Sequence, residues 1–318
     1  DPIAVRIPKG TYTAAFGLRA QSAVIDSPGL AAGGLRDRTG VRHRTLAVAA
    51  FAAAILASAG TWLALRPSPP PESLTALWRP FTSSPEAPLV VFSNAAFVGS
   101  PRDGLRYFRQ GADDPSAIIE SYTGVGEVTA VRELVGLFGS LRHPIRVKRA
   151  RLVMWDEDRD GNLVFLGSPA ENAEIQVLYK LLEFRFKSRD WEPEIGRPGF
   201  TNSKPRPGEQ PLYLAKRYPP IVDDYALVAL IPGLAPGRWA MMLAGCTTFG
   251  TGAAAEFVCR AHRVDELRRQ LVEEKPAGPM PPFEALIHIQ LHKGAVTEMK
   301  LVAVHRRDDL LQAAPARP

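Results

Sequence analysis

Residues 45–65 read TLAVAAFAAAILASAGTWLAL and carry no charged side chain. A helix of about twenty residues, rising 1.5 Å per residue, spans the roughly 30 Å hydrocarbon core of a bilayer. Four arginines lie between residues 36 and 44, whereas Arg66 and then a proline-rich segment follow the run. Because basic residues are retained on the cytoplasmic side, this asymmetry predicts a single transmembrane helix in the inner (cytoplasmic) membrane. The N-terminus would be cytoplasmic and the C-terminal domain periplasmic (extracytoplasmic), with the lipid bilayer as the first partner.

Two other interpretations of the apolar run are a cleaved signal peptide and a buried core helix. Ala57, Ser58 and Ala59 form an A-x-A pattern of the kind found at signal cleavage sites. However, at least 44 residues precede the run, and Trp62 is placed to anchor a helix at a membrane interface. A core helix would show a polar face, which this run lacks. Since no methionine precedes Met154, we expect the chain to be the C-terminal fragment of a longer protein.

The positive charge is concentrated before the apolar run. Residues 1–66 hold eight Lys and Arg against three Asp, whereas the remainder holds 31 basic against 30 acidic residues. A basic stripe of the kind that binds nucleic acid is therefore not expected on the larger domain. The composition, 46% hydrophobic and 23% charged, is that of a globular protein with a packed core.

These observations divide the chain into six segments. They are a remnant of a truncated cytoplasmic domain formed by two short strands (1–20), a flexible basic linker (21–44), the transmembrane helix (45–65), a stiff proline-rich spacer (66–76), an exported α/β domain (77–306) and a disordered tail (307–318).

The large domain alternates short apolar strands with helices. This pattern favours an α/β class with a Rossmann-like, mostly parallel sheet that is covered on both faces. The predicted strands are 89–93, 145–155, 162–166, 225–231 and 239–244, the predicted helices are 127–141, 170–184 and 252–272, and 191–211 is expected to be irregular.

An antiparallel hairpin is expected at the C-terminal end of the domain. Residues 285–292 and 297–305 alternate apolar and polar side chains, as half-buried strands do. Opposing the two polar faces pairs His288 with Lys300 and Gln290 with Glu298, and leaves a three-residue loop at 293–295. The hairpin is predicted to lie at a sheet edge.

The first candidate ligand site is the turn GSPAEN at 167–172, directly after a predicted strand. Ser168 can cap the following helix, and a helix N-terminus above a parallel strand is where an anion or nucleotide docks. The same residues are also explained as the start of a helix. The ligand-binding candidates here are Gly167, Ser168 and Asn172.

The second candidate is the glycine-rich stretch GCTTFGTGAAA at 245–255. Gly250 and Gly252 match G-x-G-x-x-A between a strand and a helix, the order of a dinucleotide fingerprint. The turn is longer than usual, and Asp265 and Glu266 fall inside the predicted helix, so we expect no nicotinamide cofactor. The alternatives are close helix–sheet packing, or a ligand held between this turn and the first one by Gly250, Thr251 and Gly252.

Metal binding and catalysis receive little support. Asp156, Asp158 and Asp160 begin like a calcium loop, but position 12 is Gly167 instead of Glu, and a turn between strands explains them equally well. His288 and His292 lie too far apart along one strand to share a metal. Neither G-x-S-x-G nor H-E-x-x-H occurs. We therefore expect no cofactor and no assignable catalytic residue.

The two cysteines, Cys246 and Cys259, are expected to be free thiols. A disulfide would suit an exported domain. However, a helix that packs back along a sheet places these positions on the order of 10 Å apart, beyond disulfide reach.

The opening sequence DPIAVRIPKGTYTAAF resembles the closing β-ribbon of an N-terminal domain found in many acidobacterial and related membrane proteins. In that domain, D-P-[IV]-x-I-x-[IV]-P-K-G-x-Y-x-P-x-F follows a segment like that of a winged-helix DNA-binding domain. The residues that match are Pro8, Lys9, Gly10, Tyr12 and Phe16, whereas Ala14 departs from the usual proline or valine. The resemblance implies a layout like that of membrane-anchored one-component regulators, with DNA bound only through the missing upstream domain.

The C-terminal part resembles uncharacterised exported domains that carry Y-T-G-V-G-E, L-G-S-P-A-x-N, D-Y-A-L-V and A-G-x-x-x-F-G-T-x-A-A. These patterns occur here at 122–127, 166–172, 224–228 and 244–254. The resemblance implies that the two loop-to-helix turns belong to one structural feature. The leading expectation is a membrane-anchored signalling or sensor protein whose exported domain binds a small molecule or a protein. An anchored enzyme acting on a nucleotide-like or phosphorylated substrate and a structural envelope protein are the alternatives.

Overall fold

The computed structural model divides the chain into two compact units, Asp1–Ser68 and Pro69–Pro318. The described residues are 3–6, 15–18, 39–64, 69–100, 102, 104–109, 111–154, 158–168, 175–187, 198–216, 220–271 and 278–312. Most of the predicted linker (residues 21–38), the first residues of the predicted spacer (66–68), Asp156, Asn172 and the end of the predicted tail (313–318) lie outside them.

The first unit contains two strands and one helix. Strands β1 (Ile3–Arg6) and β2 (Ala15–Leu18) pair in antiparallel fashion, with Val5 opposite Phe16, which confirms the predicted strand pair. Helix α1 (Thr39–Ala64) confirms the predicted helix but begins earlier, so the last six residues assigned to the linker are helical. Its described large apolar side chains are exposed. Within the described residues, no helix combines the length and apolar character needed to cross a membrane.

The second unit is a mixed α/β domain. Its described helices are α2 (Glu72–Thr82), α3 (Val125–Ser140), α4 (Ile175–Tyr179), α5 (Thr248–Cys259), α6 (Ala261–Leu271) and α7 (Asp309–Gln312). Its described strands are β3 (Leu89–Phe92), β4 (Ala95–Ser100), β5 (Gly104–Tyr107), β6 (Ile118–Tyr122), β7 (Arg146–Arg149), β8 (Leu163–Leu166), β9 (Phe184–Lys187), β10 (Gly199–Asn202), β11 (Leu212–Leu214), β12 (Asp223–Pro232), β13 (Trp239–Gly245), β14 (Phe283–His292) and β15 (Ala295–Arg306).

A seven-stranded sheet in the order β15–β14–β12–β13–β8–β3–β7 forms the centre of this unit. The pairs β13–β8, β8–β3 and β3–β7 are parallel, and the other three are antiparallel. The α/β class is therefore confirmed, with parallel strands on one side of the sheet. The antiparallel part is more extensive than predicted, because β12 and β13 are joined directly without a crossover helix.

Both faces of the central sheet are covered, as predicted. Helices α2, α3, α5 and α6 pack on one face, where they bury side chains such as Val90 and Val164. Helices α4 and α7 and the small sheet β9–β10–β11 cover the other face, which includes Leu89 and Phe165. Successive strand side chains point to opposite faces, so these continuous apolar runs fill two cores.

The C-terminal hairpin confirms the predicted pairing. His288 lies opposite Lys300 and Gln290 opposite Glu298, and β15 is the edge strand. The loop is shorter than the predicted three residues, because Ala295 already pairs with His292. Lys293 and Gly294 both have positive φ angles, as a two-residue hairpin turn requires. A register shift between Gln290 and Leu291 allows Gln290 to pair with Glu298 although the turn has only two residues.

Several predicted boundaries are wrong. The spacer at 66–76 overlaps α2, whose buried Trp78 donates to the carbonyl oxygen of Val258 and ties that helix to the core. The helix predicted at 252–272 is two helices, because Arg260 is extended and pairs with Glu133. The strand predicted at 145–155 gives way to a 3-10 turn after Arg149. Phe184, predicted to end a helix, begins a strand, and β10 lies inside the stretch expected to be irregular.

A buried network of charged side chains attaches the small sheet β9–β10–β11 to the central sheet. Glu284 accepts hydrogen bonds from the backbone N–H groups of Glu183 and Phe184 and pairs with Arg307. His305 lies between two carboxylates, 2.6 Å from Glu183 and 2.8 Å from Glu209. Burial opposes ionisation of both glutamates, but their basic and hydrogen-bonding partners lower the pKa of each. The tail predicted to be disordered from residue 307 therefore begins as packed structure.

Helices α3 and α5 approach each other closely through glycine. A Cβ atom on Gly126 would overlap the carbonyl oxygen of Thr248, and one on Gly252 would lie 3.0 Å from Thr129 Oγ1. By contrast, a Cβ atom on Gly136, which is exposed on α3, would meet nothing within 4 Å. The close contact sets the position of the N-terminus of α5 relative to α3.

Replacement of Gly126 by alanine should therefore destabilise the protein by at least about 2–3 kcal/mol, since backbone must move to admit the methyl group. The matched change Gly136→Ala should stabilise it by about 0.5–1 kcal/mol through better helix propensity. Chemical denaturation of the 318-residue chain measures both. Equal effects of the two substitutions would contradict the close helix contact.

Candidate ligand-binding crevice

A crevice of about 340 Å³ opens at the carboxyl ends of β3, β8 and β13. These strands are neighbours and parallel, so their carboxyl ends meet at one edge of the sheet. After β3 the chain continues to β7, which pairs with one side of β3, and then to β8, which pairs with the other side of β3. The order of the strands therefore reverses between β3 and β8. Open α/β sheets bind ligands at such a position. Its described lining residues are Ala95, Phe97, Tyr107, Tyr122, Thr123, Gly124, Glu127, Ser168, Ile221, Gly245, Cys246, Thr247, Thr248, Phe249 and Thr251.

The Glu127 carboxylate lies at the base of the crevice. Glu127 occupies the first turn of α3, where the helix dipole favours a negative charge, and only 3% of the residue is exposed. The Ser93 hydroxyl donates to Oε1 at 3.0 Å, and the Thr248 hydroxyl donates to Oε2 at 2.8 Å. Thr248 Oγ1 in turn accepts from Gly126 N–H at 2.7 Å. This cluster joins β3, α3 and α5 at one point.

Three aromatic rings on the small sheet β5–β4–β6 form one wall. Phe97 on β4 lies opposite Tyr107 on β5, with ring centroids 4.7 Å apart. Tyr122 on β6 meets the Phe97 ring edge-on at 5.2 Å. The two tyrosines are more than half exposed. The wall therefore presents aromatic surface that the protein's own core does not cover.

The N-terminus of α5 forms another part of the lining. Thr247 caps the helix and accepts from Phe249 N–H, while the buried Asp224 carboxyl accepts from the N–H groups of Thr247 and Gly250 and from the Thr247 hydroxyl. Burial raises the pKa of Asp224 to about 7, although these hydrogen bonds act in the opposite direction. Asp224 therefore serves as a buried cap for α5.

Cys246 borders the crevice without the properties of a nucleophile. Its thiol is free, as is that of Cys259, so the prediction of two unlinked cysteines is confirmed. Desolvation raises the pKa of the Cys246 thiol, and the neighbouring Asp224 raises it further. A protonated thiol reacts poorly as a nucleophile.

The predicted ligand residues fall into two groups. Ser168 and Thr251 line the crevice, and Gly167 lies beside its base, where a Cβ atom would overlap the Ser93 side chain. Gly250 and Gly252 are packing positions instead, because Gly250 lies against Asp224 and Gly252 faces α3. Asn172 is outside the described residues. The structure thus brings the two predicted turns to one crevice but uses two of the glycines for close packing.

The G-x-G-x-x-A match does not form a phosphate-binding turn. Helix α5 begins at Thr248, so Gly250 and Gly252 lie inside the helix instead of in the loop before it. Close helix–sheet packing, one of the alternatives drawn from the sequence, explains Gly250, which lies against Asp224 of β12, whereas Gly252 packs against helix α3.

The calcium interpretation is also not supported by the described aspartates. Asp158 is buried and is bonded to Lys148 and Arg146, whose attraction, together with the Met154 N–H, lowers its pKa against the opposing effect of burial. Asp160 is exposed beside Arg159. No group of three or more potential metal-ligating His, Cys, Asp or Glu side chains occurs in the part of the chain that the structure describes.

Ser93, Glu127, Thr248 and the aromatic wall were not predicted as site residues. Glu127 stood out only as the start of a predicted helix and as the last residue of the Y-T-G-V-G-E pattern, and the strands β4, β5 and β6 were not assigned. The polar residues are 34 and 121 positions apart along the chain, so their meeting depends on the tertiary fold.

Fold and crevice together define an α/β domain with a crevice at the carboxyl ends of its parallel strands. No protein-family model matches the chain, and no match occurs among the curated proteins or the solved structures.

The raised pKa of Asp224 predicts a pH-dependent stability. The folded protein retains this proton up to about pH 7, whereas an unfolded chain releases it near pH 4, so the contribution of Asp224 to stability falls as the pH rises through this interval. In Asp224→Asn, the difference in unfolding free energy between pH 5 and pH 8 should shrink relative to the wild type. Asp265→Asn, at an exposed position on α6, is the control and should leave the difference unchanged. An unaltered pH dependence in Asp224→Asn would refute this role.

Proposed function

We propose that the second unit is the ligand-binding domain of a membrane-anchored sensor or signalling protein, and that it binds a small molecule in the crevice. The observation that carries the proposal is the combination of a ligand-sized cavity, a buried carboxylate at its base and an uncovered aromatic wall. Small-molecule sites combine largely apolar walls with a few oriented polar groups in this way. The crevice is lined by rigid elements, because two helix N-termini and three strand ends meet there.

The membrane part of the proposal rests on the sequence of residues 45–65 and not on the helix as the structure describes it. Its support is the absence of charge within this run and the arginines before it. The exposed apolar side chains of α1, such as Phe51 and Leu56, would be covered by lipid. In this arrangement the residues before the apolar run are cytoplasmic and the second unit is exported.

The two alternatives have less support. An enzyme for phosphorylated or nucleotide-like substrates needs cationic or free N–H groups, and the described lining of the crevice contains no Lys, Arg or His. A purely structural envelope protein does not require a buried carboxylate beside exposed aromatic side chains.

Ligand binding is tested by thermal denaturation of the 318-residue chain against a panel of amines, aromatic alcohols, nucleotides, inorganic phosphate and Ca²⁺. A compound at about 100 times its Kd should raise the Tm by about 5–10 °C. Ser168→Trp, which fills the crevice, should abolish the shift, whereas Ser116→Trp on an exposed turn should retain it. The absence of any shift, or a shift that survives Ser168→Trp, would refute the crevice as the ligand site.

The orientation is tested by fusing alkaline phosphatase, or separately green fluorescent protein, after residue 318. Phosphatase activity without fluorescence is expected, because phosphatase folds only outside the cytoplasm. The reverse pattern would rule out an exported second unit.

A further inference from the structure

Resting on the proposed ligand site, the charge and shape of the crevice restrict what it can bind. We propose that the ligand is a compact molecule with a protonated amine on a flat apolar body, the amine binding Glu127 and the body lying against Phe97, Tyr107 and Tyr122.

The first argument is charge. Glu127 is the one ionisable carboxylate in the described lining, and no basic side chain accompanies it there. The Ser93 and Thr248 hydroxyls satisfy one acceptor position on each oxygen, and a carboxylate has about four. A carboxylate buried in this way gains most from a cation that adds hydrogen bonds. At 4 Å an anion would instead be repelled by about 4 kcal/mol at an effective dielectric constant of 20.

The second argument is that four of the N–H groups at the two helix N-termini already have acceptors. At the start of α5, Phe249 N–H donates to the Thr247 side chain and Gly250 N–H to Asp224. Thr251 N–H donates to the Thr247 carbonyl oxygen. On α3, Gly126 N–H donates to Thr248 Oγ1. A phosphate could use these four N–H groups only by displacing their present acceptors.

The third argument is the aromatic wall. The faces of Phe and Tyr rings attract cations and stack on flat apolar groups. Phe97 lies between Tyr107 and Tyr122 and holds the three rings as one surface. A volume of about 340 Å³ is at the small end of ligand sites and favours a compact ligand.

Isothermal titration calorimetry of the 318-residue chain tests this inference with phenethylamine and its neutral counterpart 2-phenylethanol at pH 7. The amine should bind about 10- to 100-fold more tightly, as expected for a hydrogen bond to a charged group. Inorganic phosphate should neither bind nor compete. In Glu127→Gln the preference should fall to about threefold or less, while Glu86→Gln, an exposed glutamate before β3 at the other end of the sheet, should keep it.

Equal or tighter binding of the alcohol, no binding of the amine, or phosphate binding that strengthens in Glu127→Gln would overturn the inference. The comparison in the wild type does not depend on the folding of Glu127→Gln, and Tyr122→Leu provides a second variant with reduced amine affinity. If panel compounds bind and Ser168→Trp blocks them while the amine fails, the ligand class is wrong and the site stands. If no panel compound binds, the proposed function itself fails.

Discussion

The two hydroxyl hydrogen bonds to the Glu127 carboxylate are the interaction on which the crevice depends. Ser93 directly follows β3, and Thr248 is at the start of α5. One buried side chain on α3 therefore links the end of β3 to the first turn of α5. The close contact at Gly126 brings Thr248 within reach, and the Asp224 cap positions the first turn of α5. A buried carboxylate without hydrogen-bond donors would raise the free energy of the folded state. The two hydroxyl donors therefore favour this arrangement of β3, α3 and α5.

The mixed sheet explains why the site forms at one edge only. The carboxyl ends of the parallel strands β3, β8 and β13 lie together at one end of the sheet. The strands β4–β6, which follow β3 and precede α3, carry the aromatic wall. The antiparallel strands β12, β14 and β15 extend the sheet and carry the charged network beneath it. One part of the sheet therefore builds the site, while the other anchors the small sheet β9–β11.

Local patterns in the sequence were sufficient for much of the fold. The alternation in β14 and β15 predicts their pairing, because a period of two fixes which side chains share a face. The break at Arg260 was not predictable, since neither glycine nor proline marks it and a tertiary ion pair with Glu133 accompanies it. The crevice was also only partly predictable. Gly167 and Ser168 directly follow a strand that the sequence predicts, whereas Glu127 and Thr248 meet only through packing of distant elements.

The proposed amine site requires the ligand to contact Glu127 itself. The most direct measurement is a crystal structure of the 318-residue chain with phenethylamine bound. Our account predicts the amine nitrogen about 2.7–3.2 Å from the Glu127 carboxylate, with the phenyl ring against Phe97 and Tyr122. An amine bound outside the crevice, or its phenyl ring at the base with the nitrogen turned to solvent, would contradict it.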